Sequence, residues 1–304
     1  MHRKARCYAR PTCAGADVRW RPAIAAVLCS VVFAMPALSA GPVSRYFQTS
    51  DRVRLHVLEA GAHGGEAPVL AFVPGWSMPA SIFQPQLAAL GERHAVAALD
   101  PRGQGLSDVP ASGYAINRRS LDVGEFVARY RRVVLVGWSL GALEALEYVR
   151  LKGTGSLVGL VLVDSSVGEN PPPGPGGGFT AELRRDRKTA LDGFIRGIFR
   201  SARPEDELLA LREQALRMPL EASLSLFPSS TPREHWRGIA RSFPKPLLYV
   251  VTPRFEAQAA NLKLARPATR VSVFRDAGHA LFADDPVRFN ALLETLLEEE
   301  ASSR

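Results

Sequence analysis

The sequence predicts an α/β protein: a doubly wound, mostly parallel sheet with a helical cap inserted in its second half. Three observations predict it. Short apolar runs alternate with helical stretches along most of the chain, which is the order of a sheet covered by helices. The runs are continuous rather than alternating, as expected of parallel strands buried on both faces. The alternation then fails once, between Gly168 and Phe243.

The elements follow in chain order. A basic segment with Arg3, Lys4, Arg6, Arg10, Arg19 and Arg21 precedes an apolar stretch from Ala23 to Met35 and then "PALSA". That is the layout of a signal peptide over residues 1–40, so the expected location is exported, periplasmic or secreted; an uncleaved leader would instead leave the chain anchored or cytoplasmic. The apolar stretch is shorter than the roughly 20 residues a membrane span needs, and no stable span is expected in the mature form. The first core part, 41–167, opens with "RVRLHVLEAG", where Val53, Leu55 and Val57 share one strand face. Apolar strands follow at 68–75, 94–103, 131–137 and 156–166, separated by helical stretches at Ile82–Leu90, Leu121–Tyr130 and Leu140–Lys152. "GENPPPGPGGG" breaks the pattern and introduces the cap, 168–243, with arginine-rich amphipathic helices around 180–200 and 204–218. Its Phe179, Phe194, Phe199, Leu220 and Phe227 either line an apolar pocket or fasten the cap to the sheet. The second core part, 244–304, holds strands at 246–252 and 269–274 and helices at Ala257–Arg266 and Pro286–Glu300, the last with Asp285 as N-cap and Pro286 at its first position.

Composition excludes several classes of function. The sequence carries 38 Lys+Arg against 30 Asp+Glu. Six of those basic residues and one acidic residue lie in the leader, so the remainder is near +3 by this count and the whole sequence's pI of 9.8 is no sign of a nucleic-acid surface. All three cysteines, Cys7, Cys13 and Cys29, also lie in the leader, which leaves no thiol chemistry and no disulfide. No His/Asp/Glu cluster has ligand spacing, so neither a metal nor an organic cofactor is expected. Oligomeric state is open.

Chemistry concentrates at "GWSLG", Gly137 to Gly141, between the apolar run "RRVVLV" and a helix. Strand, turn and helix around G-x-S-x-G present the serine on a sharp elbow beside a helix N-terminus, where backbone N–H groups favour developing negative charge. Ser139 is therefore the candidate nucleophile, and a hydroxyl needs a base to become one. His279 in "DAGHALFADDP" follows the last strand beside Gly278, on a loop returning to the sheet top. His56, His63, His94 and His235 sit where packing or surface roles are expected.

Four stretches together, "FVPGW" (72–76), "ALDPRGQGLS" (98–107), "LVGWSLG" (135–141) and "DAGHALFADDP" (276–286), make the chain resemble the α/β-hydrolase superfamily from about Tyr46 to Glu300. The likeness is to the group of serine esterases, lactonases and cofactor-free haloperoxidases. The resemblance implies an α/β-hydrolase fold and an acyl-enzyme on Ser139, with His279 as base and the backbone N–H groups of Trp76 and Leu140 as the oxyanion hole. Pro74-Gly75 stands where many relatives have His-Gly. Serine at the elbow is unlike the aspartate of epoxide hydrolases and haloalkane dehalogenases. "DPRGQGLS" is a structural turn in such relatives, so Asp100 and Arg102 are not counted as catalytic. The acid stays open: relatives usually carry it after the strand that here reads "PLLYVVT", where Glu256 falls, or at the end of the sixth strand, where Asp164 falls. The implied activity is carboxylesterase-like hydrolysis of a small apolar ester, lactone or thioester. Perhydrolase or haloperoxidase chemistry, and a ligand-binding protein without turnover, are the alternatives.

Overall fold

The computed structural model describes residues 41–172, 178–227 and 231–302. The expected signal peptide, with all three cysteines, lies outside the described residues, as does part of the Pro/Gly stretch that opens the cap.

In order, the elements are β1 (Val43–Gln48), β2 (Arg54–Ala60), β3 (Val69–Val73), α1 (Gln84–Leu90), β4 (Val96–Asp100), α2 (Ile116–Val127), β5 (Val133–Trp138), α3 (Leu140–Lys152) and β6 (Leu157–Val163). Then come α4 (Phe179–Arg185), α5 (Arg187–Gly197), α6 (Glu205–Leu216), α7 (Leu220–Ser225) and α8 (Arg233–Ser242). The chain returns to the sheet with β7 (Leu247–Val251), α9 (Glu256–Ala265), β8 (Arg270–Val273), α10 (Leu281–Asp284) and α11 (Pro286–Ser302). The eight strands are ordered β1-β2-β4-β3-β5-β6-β7-β8. β2 pairs antiparallel with β1 and β4, and every other pairing is parallel.

Both faces of the sheet are covered, which explains why the central strands read as unbroken apolar runs. One face packs Val123 and Phe126 of α2, Leu146 of α3, Ile239 of α8 and Leu262 of α9. On the other lie Leu87 of α1 and Phe289 and Leu293 of α11, and the same cluster continues through Trp76 into Leu191 and Ile195 of α5 and Leu211 of α6. The helices inserted between β6 and β7 thus share a core with the C-terminal ends of the strands.

Two differences from the sequence reading have physical causes. β1 was not expected: its residues are nearly all exposed, so an antiparallel edge strand shows no apolar run. α2 starts at Ile116 rather than near Leu121, because its first turns bury Arg119, Ser120 and Asp122 instead of apolar side chains. Arg119 pairs with buried Glu144 of α3, while Arg102 grips Asp122 at 2.6 and 2.7 Å. Asp285 does cap α11, accepting the Arg288 N–H at 3.2 Å.

Candidate active site

The parallel register brings the candidate residues to one edge of the sheet. Trp138 pairs with Val163 and Val163 with Val250, so the next residues of neighbouring strands, Ser139 and Asp164, leave the sheet side by side. The ladder holds them there: Ser139 N–H donates to Val163 O at 2.9 Å, and Asp164 N–H to Val250 O at 2.8 Å. Trp76 follows β3, Thr252 follows β7, and His279 follows β8 after a short loop. Ligands of such sheets bind at these strand C-termini.

Ser139 has φ 55° and ψ −118°, a backbone conformation L-residues rarely adopt, and it stands immediately before α3. Strain of this kind costs about 1–3 kcal/mol and persists only where the surroundings enforce it. They do so here by close approach of main chain: a Cβ on Gly137 would run into the backbone of Gly141 and Ala142, and one on Gly141 into the carbonyls of Val73 and Pro74. The glycines are therefore required on both sides of the elbow. Ser139 itself is half-buried.

His279 is held by four separate contacts. Its Nδ1 lies 2.7 Å from Asp164 Oδ2, and its carbonyl accepts the Trp138 indole N–H at 2.8 Å. On either side of it, Gly278 N–H donates to Asp284 Oδ2 at 2.7 Å and Ala280 N–H to Ile198 O at 2.8 Å. Asp164 is only 2% exposed, and its second oxygen accepts the Thr252 N–H at 2.7 Å and the Thr252 hydroxyl at 2.8 Å. Both carboxylate oxygens are therefore committed, one to orienting the imidazole and one to Thr252. With Nδ1 bound to Asp164, the histidine's other ring nitrogen is left for a different partner.

Glu256 is not part of this cluster. It begins α9 and binds Arg275 at the surface, its side chain 40% exposed. The remaining described histidines are engaged elsewhere: His56 with Asp100 and Ser44, His63 with the Ala60 carbonyl, His94 with Glu294 and His235 with Glu147. Asp100 also accepts the Leu106 N–H at 2.8 Å, fastening the "DPRGQGLS" turn.

Ser139, His279 and Asp164 line one cavity of ≈ 230 Å³, and Trp76 and Leu140 contribute to its wall. Leu143, Leu226, Phe227 and Phe255 make much of the rest apolar. Of the five apolar cap residues singled out from sequence, only Phe227 reaches it. Phe179 and Phe194 pack edge-on against Trp76, whose indole N–H donates to Ser223 O of α7 at 2.6 Å. Among the described residues no three His, Cys, Asp or Glu side chains gather as a metal would need, and no helix is long and apolar enough to cross a membrane.

Sequence reasoning missed Thr252 and Asp284. Thr252 follows β7 and carries no local mark of its role in the sequence. Asp284 accepts the backbone N–H groups of Gly278, Arg200 and Ser201 and the Ser201 hydroxyl, tying the His279 loop to the turn after α5. Burial opposes its ionisation, but the Ser201 hydroxyl and the three N–H donors outweigh that and hold its carboxyl below the ordinary value of 3.8. Its sequence signal is the "DAGHALFADDP" segment, where a carboxylate five residues after His279 carries no local mark of a clamp.

A serine with a strained elbow, a carboxylate-bound imidazole and a mainly apolar cavity can carry out acyl transfer. A model of the alpha/beta hydrolase family matches residues 70–292. Over 93 residues the chain is 36% identical to the 2-(acetamidomethylene)succinate hydrolase of Mesorhizobium japonicum, a match covering 30% of this chain and 32% of that protein. Among solved structures, the esterase EaEST of Exiguobacterium antarcticum superposes with a TM-score of 0.73 at 22% identity, over 84% of this chain and all of that one. A bromoperoxidase of Bacillus anthracis does so with a TM-score of 0.73 at 21% identity, again over 84% of this chain and all of that one.

Proposed function

Because the chain belongs to the alpha/beta hydrolase family, we propose that it is a serine hydrolase cleaving a small carboxylic ester through an acyl-enzyme on Ser139. The observation that carries this reading is the Asp164–His279 hydrogen bond on the cavity that Ser139 enters from its elbow. In the proposed reaction His279 takes the Ser139 proton as the oxygen attacks the carbonyl carbon. The backbone N–H groups of Trp76 and Leu140 hold the oxyanion, each such donor being worth about 3 kcal/mol in the transition state. Collapse breaks the ester C–O bond, and His279 passes its proton to the departing alcohol. Water, deprotonated by His279, then attacks the acyl carbon and releases the acid and Ser139. Asp164 keeps the imidazole in the productive tautomer and stabilises the imidazolium, without itself taking the proton.

A cavity of ≈ 230 Å³ suits short acyl groups and small alcohols. Ser139→Ala is expected to abolish turnover of p-nitrophenyl acetate and labelling by a fluorophosphonate, while the wild type gives an acetyl adduct on Ser139 by mass spectrometry. Full activity in the variant excludes the scheme. One observation favours amide cleavage as a second reading: the sequence match to a hydrolase of 2-(acetamidomethylene)succinate. The same residues serve both reactions, and a parallel panel of acetamides and acetate esters separates them. Halogenation of monochlorodimedone with peroxide and acetate tests the perhydrolase alternative.

A further inference from the structure

Arg254 stands on the wall of the Ser139 cavity, in the one-turn helix Pro253–Phe255 that follows β7. It is two residues beyond Thr252, which holds Asp164, so the strand that fixes the acid also delivers a guanidinium to the same space. Other arginines of this region are spoken for. Arg275 is paired with Glu256, Arg241 with Glu169, and Arg266 donates to the carbonyls of Phe243 and Lys245. Arg254 has no carboxylate or carbonyl partner among the described residues.

The cavity's own carboxylate does not neutralise it. Both oxygens of Asp164 are occupied, by His279 and by Thr252. Arg254 Cζ lies 5.4 Å from the ring centroid of buried Phe255, within cation–π range. Arg254 is exposed while Ser139 is half-buried, so the guanidinium sits on the solvent side of the cavity with the reacting atoms further in. Its five donors in a planar fork match a carboxylate in two parallel hydrogen bonds, a geometry an ammonium cannot reproduce. A pocket walled by Leu140, Leu143, Leu226, Phe227 and Phe255, with Ser165 and Ser166 beside the reacting groups and one unpaired cation at its outer side, suits a short molecule with an anionic end.

We propose that Arg254 is a specificity-determining residue that binds a carboxylate carried by the substrate, so that this hydrolase acts on small anionic esters in preference to neutral ones. The proposal rests on the serine-hydrolase reading of Ser139. It adds a charged end to the small apolar ester expected from sequence.

The test compares matched pairs on the full-length protein. Mono-p-nitrophenyl glutarate against p-nitrophenyl pentanoate places the charge on the acyl side; 4-acetoxybenzoate against 4-acetoxybenzamide places it on the leaving group. The ratio of kcat/KM, anionic over neutral, is measured for wild type, Arg254→Gln and Arg254→Lys. In one pair Arg254→Gln is expected to lower that ratio by about 10- to 100-fold, the range for a lost hydrogen bond to a charged group. Arg254→Lys should recover part of it, and glutarate should inhibit the wild type competitively but Arg254→Gln poorly. A ratio unmoved within twofold in both pairs, with Ser139 still labelled by a fluorophosphonate, overturns the Arg254 assignment and leaves the hydrolase reading standing. No ester turnover and no labelling of Ser139 overturns both.

Discussion

Asparagine at position 164 separates orientation of the base from everything else the aspartate does. Asp164 Oδ1 accepts two hydrogen bonds from Thr252, at 2.7 and 2.8 Å, so an asparagine there turns its carbonyl oxygen to Thr252 and its NH₂ to His279. The opposite orientation would face NH₂ against two donors and leave both unsatisfied, costing about 1–3 kcal/mol for each buried group. In the favoured orientation Nδ1 of His279 must accept, so the imidazole proton moves to the other nitrogen, the one that takes the serine proton in the proposed reaction. The base is then in the wrong tautomer with the fold intact. For this substitution in a triad the loss is about 10⁴-fold in kcat, or about 5 kcal/mol of transition-state stabilisation. The assay is steady-state hydrolysis of p-nitrophenyl acetate by Asp164→Asn beside Glu256→Gln, with Tm measured for each. Glu256→Gln removes only a surface ion pair with Arg275, worth about 0–1 kcal/mol, and should keep kcat within about twofold. An Asp164→Asn enzyme with more than a tenth of wild-type kcat, or a Glu256→Gln enzyme crippled to the same degree, would refute the reasoning.

Three further outcomes are expected. Gly141→Ala forces a methyl group against the Val73 and Pro74 carbonyls, which cannot move without breaking the elbow, so it should cost at least about 2 kcal/mol and lower Tm by roughly 4–8 °C in calorimetry. Asp284→Asn presents an amide to donors that need an acceptor, and the resulting shift of the His279 loop should reduce kcat by about tenfold or more, since misplacement by about 1 Å can cost 10²-fold. The folded state depresses the Asp284 pKa, so its carboxylate stabilises the protein above the unfolded value near 3.9 and that contribution disappears as pH falls through the lower folded value. The Tm difference between wild type and Asp284→Asn should therefore shrink below about pH 4; a difference constant from pH 7 to pH 3 counts against the clamp.

The central strands, the elbow and the loop bearing His279 could be read from sequence because each leaves a local trace: unbroken apolar runs, glycines two residues either side of a serine, a histidine after the final strand. β1 left none, since an exposed edge strand needs no apolar run. The start of α2 was hidden because its inward face is filled by Arg119 and Asp122, a charged set that periodicity counts as solvent-facing. That Asp164 rather than Glu256 lies against His279 is a property of register and of two hydrogen bonds from Thr252 that no local pattern encodes. Arg254 was silent for the same reason: one arginine among many, distinguished only by the cavity it borders and the partner it lacks.

The turn at Ile198–Ser201, which receives Ala280 N–H and supplies three of the four donors to Asp284, bears on how this protein can be re-engineered. Grafting a foreign lid between β6 and β7 is an obvious route to new selectivity in such a scaffold. Here the lid also serves as the jig that sets the position of His279, the proposed general base, from about 80 residues away in the chain. A transplanted lid without an equivalent turn would bring a new pocket together with a misaligned imidazole. Exchanges that keep residues 198–201 and the Ser223 carbonyl that holds Trp76, and vary α6, are the ones in which selectivity can change while the chemistry is preserved.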